Sequence, residues 1–151
     1  MQKDVSMTRF APALAFTVLA GAALAHSGVT NPAVMARMEA MSTIAAEVKA
    51  LTSMARGEVA FDAEAVAARM GVIAAKSGEV PALFEAPEMD PKSEAADAIW
   101  TSFPEFTQRS AAMVAAAEAG AGAADEFELE EALGALAQTC RSCHGTYKVE
   151  P

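Results

Sequence analysis

Near one end of the 151-residue chain stand Cys140, Arg141, Ser142, Cys143 and His144, a C-x-x-C-H pattern. Two thiols three residues apart can each add across a vinyl group of one porphyrin, while the adjacent imidazole reaches its iron from the same side. The pattern predicts one covalently attached haem c, with His144 as the proximal iron ligand. Other uses of two cysteines are poorly supplied. A closed zinc site wants four Cys or His ligands, and the chain holds only Cys140, Cys143, His144 and His26. A redox dithiol of the thioredoxin type would follow a strand and open a helix within a βαβ pattern, and nothing upstream alternates like a strand. Composition alone leaves a local disulfide open.

The elements that must position these groups read as helices. Leu129, Leu133, Leu136, Cys140, Cys143 and Tyr147 alternate steps of four and three, which predicts one buried seam on a helix opening at Asp125-x-x-Glu128. His144, four residues beyond Cys140, projects close to the same side one turn later. A first helix is expected from about Asn31 to Ala55, with Pro32 at its start, Gly57 past its end, and Val34, Met41, Ile44, Val48 and Leu51 as its stripe. A second begins at the N-cap Asp62, after Phe61, and buries Val66, Met70 and Ile73. Pro81, Pro87 and Pro91 break the stretch from about Ser77 to Ala98, which predicts a crossover connection with a short turn at most. Ser102-x-x-Glu105 around Pro104 predicts a capping box for a third helix along Phe103, Phe106, Ser110, Met113 and Ala117. The expected fold is all-α, an antiparallel four-helix bundle with covalently bound haem set between helices near one end.

At the other end, Lys3 and Arg9 precede an apolar run from Phe10 to about Ala25 that closes on Ala23-Leu24-Ala25. This predicts a secretory signal over residues 1–25, cleaved before a domain over 26–151, and export to a bacterial periplasm. The run is shorter than the roughly 20 apolar residues of a spanning helix, so no membrane span is expected after cleavage. Removing Lys3, Arg9 and Asp4 takes the net charge from −9 to −10. Such a surface argues against nucleic acid and suits docking to a basic redox partner protein.

Several segments in this order resemble the cytochrome c′ family over essentially the whole exported chain. They are Arg37-Met38-Glu39-Ala40-Met41, Gly57-Glu58-Val59-Ala60-Phe61-Asp62, Pro81-Ala82-Leu83-Phe84, Ile99-Trp100, and Cys140 to Lys148 with C-x-x-C-H close to the C-terminus. The resemblance implies a division at the sixth iron position. High-spin members leave it vacant and bind nitric oxide or carbon monoxide. In the low-spin, c-556-like branch a first-helix methionine fills it and the protein carries electrons. Met41, four residues after Arg37, matches that methionine, with Met38 as its neighbour on the same helix.

The same resemblance implies that Arg37 pairs with a haem propionate, as against a plain solvent-facing arginine. Lys148 stands where many high-spin members carry arginine, and family members often form homodimers. Trp100 and Tyr147 are expected to pack at the haem edge. Bis-histidine ligation is not expected, since the only spare imidazole, His26, stands at the expected mature terminus. No Ser/His/Asp constellation and no glycine-rich phosphate loop can be assembled, so no enzyme is expected. The expected function is a periplasmic one-electron carrier with His144 and Met41 as axial ligands. The alternative is a five-coordinate protein that binds small gases.

Overall fold

The computed structural model describes residues 28–149; the expected signal, residues 1–25, and His26 lie outside them. The described residues form four long helices and one helical turn: α1 Pro32–Ala55, α2 Ala63–Leu83, α3 Ala98–Thr101, α4 Phe103–Gly120 and α5 Glu126–Tyr147. Helices α1, α2, α4 and α5 pack in a closed ring in that order, with no close backbone approach across either diagonal. Neighbours run antiparallel. Arg37 of α1 reaches Leu83 at the end of α2, whereas Glu47 meets Arg69 nearer the middle of both. Among the described residues no strand forms beyond an isolated antiparallel bridge between Ala95 and Lys148, and no helix is long and apolar enough to cross a membrane.

The ends of α1, α2 and α5 follow their local chemistry. The Asn31 side chain accepts from the N–H groups of Ala33 and Val34, with Pro32 in the first turn. Gly57 adopts φ +67°, the left-handed conformation that ends the helix. Asp62 caps α2 through Glu64 and Ala65. Asp125 accepts from Glu128 N–H, while the Glu128 carboxylate accepts from Ala124 N–H. The bundle core is built from Ile44, Leu51, Val66, Met70, Ile73, Leu129 and Leu136. At one end a second cluster gathers Val80, Phe84, Ile99, Phe106 and Tyr147.

Two expectations are corrected. Helix α2 does not stop near Ser77 but continues through Pro81 to Leu83. Proline cannot donate to the carbonyl four residues back, and that carbonyl, on buried Ser77, accepts instead from Ser110 Oγ of α4 at 2.5 Å. A tertiary hydroxyl replaces the missing helix bond. Ser102 precedes α4 but makes no capping bond. Its hydroxyl donates to Ala98 O at 2.7 Å and lies 3.2 Å from the Tyr147 hydroxyl, tying the α3 turn to the end of α5.

Removing the hydroxyl of Ser110 leaves a buried carbonyl without a partner. Ser110→Ala is therefore expected to lower unfolding free energy by about 1–3 kcal/mol, read by denaturant titration. A midpoint equal to that of the wild type would show that Ser77 O finds another donor.

Candidate cofactor site

A cavity of about 470 Å³ opens between α1 and α5 beside the second cluster, within the roughly 300–1,000 Å³ usual for cofactor sites. His144 and Cys143 line it from α5, and Met41, Met38 and Arg37 line it from α1. Cys140, one turn earlier, is half-buried on the same seam and does not line the cavity. Val34, Val80, Phe84, Ile99 and Phe106 supply an apolar wall, and Lys92, Ser93, Glu94 and Ala95 of the crossover form a polar rim.

The donor set suits a haem. Both cysteines are unpaired on one continuous helix. Burial pushes their thiol pKa values up, with a hydrogen bond from Thr139 pulling Cys140 and the Arg109 charge pulling Cys143 part of the way back. Partial desolvation, helped by the Lys148 charge, lowers the pKa of His144, with Glu94 acting in the opposite sense. The shift favours the neutral ring, the form that binds iron. Among the described residues no three His, Cys, Asp or Glu side chains gather as a metal cluster.

Met41 packs against both hydrophobic clusters at once and lies at their junction. Met38 lines the cavity without joining either cluster. Both side chains share the cavity with His144, and only Met41 is also packed against the clusters.

Arg37 is 3% exposed and is not a solvent-facing arginine. Its Nε donates to Leu83 O at 2.8 Å, one terminal nitrogen to Glu88 O at 2.6 Å and the other to Ala86 O at 2.6 Å. The cation lies 4.5 Å above the centre of Phe84 and 5.7 Å from that of Trp100. Trp100 donates its indole N–H to Phe84 O at 2.8 Å. Arg37 therefore caps the C-terminus of α2, which has no cation in its own last turn, and folds the start of the crossover over the cavity. Three of its five N–H donors are committed to carbonyls, leaving two for another acceptor. Burial lowers its pKa, with Glu88 opposing, yet a guanidinium is basic enough to stay charged.

The rest of the crossover is pinned at two points. Asp90 accepts from the N–H groups of Thr30, Asn31 and Lys92, and these bonds hold its carboxyl below the usual range. Further on, Ala96 N–H donates to Tyr147 O, Val149 N–H to Glu94 O, and Lys148 pairs with Glu94 at 3.1 Å. The rim is fixed to both α1 and α5. None of these crossover bonds carries a local sequence signature except the Asp-x-Lys turn at Asp90.

A family profile described as Cytochrome C' matches residues 32–148. A cytochrome c-556 of Agrobacterium tumefaciens is 31% identical over 112 residues, 73% of this chain and 91% of the relative. A cytochrome c′ of Cereibacter sphaeroides is 34% identical over 144 residues, 91% of this chain and 96% of the relative. Among solved structures, the cytochrome c′ of Rhodopseudomonas palustris superposes with a TM-score of 0.73 at 28% identity, covering 80% of this chain and 98% of that one.

Two outcomes test this geometry. Arg37→Met should destabilise the protein by about 3 kcal/mol or more, because three acceptors lose a charged donor; an unchanged denaturation midpoint would contradict the clamp. Asp90 has a depressed folded pKa, so its contribution is full above the ordinary carboxylate value near about 4 and is lost as pH falls through the folded value. Asp90→Asn should be less stable than wild type at pH 7, with the gap narrowing below about pH 4. A gap that stays constant on acidification would remove the carboxylate from that role.

Proposed function

Because the chain belongs to the cytochrome c′ family and carries covalently attached haem c, we propose that it is a one-electron carrier with His144 and Met41 as axial ligands. Haem c bound there supplies a ferric/ferrous couple. Cys140 and Cys143 hold it by thioether bonds, so that it is retained through both oxidation states. His144 presents a neutral ring nitrogen from the same face of α5. Met41 presents a thioether from α1, a soft donor that favours the ferrous state and raises the potential. Val34, Val80, Ile99 and Phe106 exclude water from the wall, which raises the potential further.

The observation that carries this reading is the place of Met41. It lines the cavity that His144 lines from the opposite helix, and packing on two clusters restricts its motion. The two spare N–H donors of Arg37 support its assignment to a propionate. The competing reading keeps Met41 as packing only, leaves iron five-coordinate and makes the protein a gas binder; the relatives include proteins named for each branch. We place the protein in the periplasm, exported by a signal over residues 1–25, with redox proteins as partners and a homodimer as an allowed state. No residue is assigned a catalytic role.

Met41→Ala and Met38→Ala separate the assignments. On this reading Met41→Ala converts low-spin iron to high spin, lowers the reduction potential and opens the iron to carbon monoxide, whereas Met38→Ala leaves all three close to wild type. Identical spectra for wild type and Met41→Ala would sink the ligation. A spin-state change confined to Met38→Ala would transfer it to that residue.

A further inference from the structure

The C-x-x-C-H pattern occupies the last two turns of α5, which ends at Tyr147. Helix ends fray, because their last carbonyls lack partners within the helix. Gly145 directly after His144 weakens this turn further. Attachment chemistry that needs two thiols and an imidazole on one face is thus placed where an isolated helix holds its phase least well.

A second helix, α4, grips that turn. Ser102, Phe106 and Arg109 lie on one stripe of α4 and its N-terminal flank. Ser102 meets the Tyr147 hydroxyl, and the Phe106 ring stands edge-on to Tyr147 with centroids 5.2 Å apart. Arg109 alone reaches the main chain. One terminal nitrogen donates both to Ser142 O, between the two cysteines, and to Thr146 Oγ1 at 2.9 Å. Its other terminal nitrogen is held by Glu105 one turn back on α4. Its guanidinium carbon lies 5.1 Å from the centre of the Tyr147 ring. Ser142 and Thr146 are four residues apart and bracket His144, so the guanidinium spans the turn that carries the imidazole.

The geometry points to Arg109 as a positioning residue that sets the rotation of the C-x-x-C-H turn, and through it the direction of the His144 ring. It does not line the cofactor cavity; it lines a separate outer groove between α4 and α5. The inference rests on His144 as an iron ligand and is independent of Met41. A planar fork with several fixed donors can hold two acceptors and a ring at once, which a lysine point charge cannot.

The test compares holoprotein of wild type with Arg109→Gln, Arg109→Lys and Thr146→Val. Arg69→Gln serves as control, since Arg69 pairs with Glu47 between α1 and α2 and is likewise a partly exposed interhelical arginine. Two quantities are read: amide hydrogen exchange over residues 142–148, and the paramagnetically shifted ring resonances of His144. Arg109→Gln should speed exchange there about tenfold, the factor expected for loss of a charge-assisted hydrogen bond, and should move the His144 resonances. Arg109→Lys should recover part of both, Thr146→Val should give a smaller change in the same sense, and Arg69→Gln should leave both at wild-type values. Arg109→Gln changes no larger than those of Arg69→Gln would overturn the proposal. If Arg109→Gln does not accumulate as holoprotein, wild-type values for both Arg109→Lys and Thr146→Val would overturn it equally. The spin state of the wild type separately reports on Met41, so the two readings fail independently.

Discussion

One buried guanidinium organises the end of the bundle where the chemistry lies. Arg37 leaves α1, ends α2 by taking Leu83 O, and bends the next residues by holding Ala86 O and Glu88 O. A charge this deep is tolerable because three hydrogen bonds and two aromatic faces replace much of the water it gave up. The crossover then has one path open to it, across the mouth between α1 and α5. Its rim residues, the Asp90 clasp and the bridge to Lys148 all follow from that path.

The bundle itself is divided by task. Leu51, Met70, Leu129 and Leu136 make a buried core away from the cavity. The aromatic cluster of Phe84, Phe106 and Tyr147, stacked edge to face, stiffens the other end. Met41 belongs to both. A methionine at such a junction is held by packing on both sides and lines the cavity that His144 also lines, which is how packing can turn a flexible side chain into a defined donor. On α5 the same division appears along one seam, leucines toward the core and Cys143 toward the cavity.

The parts of this arrangement that were legible in the sequence are those whose chemistry is local. Asn31 with Pro32, Gly57, Asp62 and Asp125 with Glu128 each act within a few residues, and the helix ends they mark agree with the structure. The seam of α5 was legible for the same reason, since helical spacing alone puts Leu129, Leu136 and Tyr147 inside. Pro81 misled because its remedy, Ser110 Oγ on Ser77 O, comes from another helix. Ser102 misled in the opposite way: the cap pattern is present, but Ala98 O and Tyr147 claim the hydroxyl first. The carbonyl clamp of Arg37 and the grip of Arg109 on Ser142 left no pattern, because backbone carbonyls have no sequence. For Arg109 one signal existed: it is the only cation in α4, one turn after Glu105, within an otherwise uncharged run from Phe106 to Ala117.

The central claim is that sulfur from α1 and nitrogen from α5 meet at one iron. X-ray absorption fine structure of the wild-type holoprotein tests it without any substitution, because sulfur scatters distinguishably from nitrogen. The account predicts a first shell containing one sulfur in addition to nitrogen scatterers, in both the oxidised and the reduced protein. A shell of nitrogen alone, with iron five-coordinate, would contradict it and leave Met41 as a packing residue beside an open site.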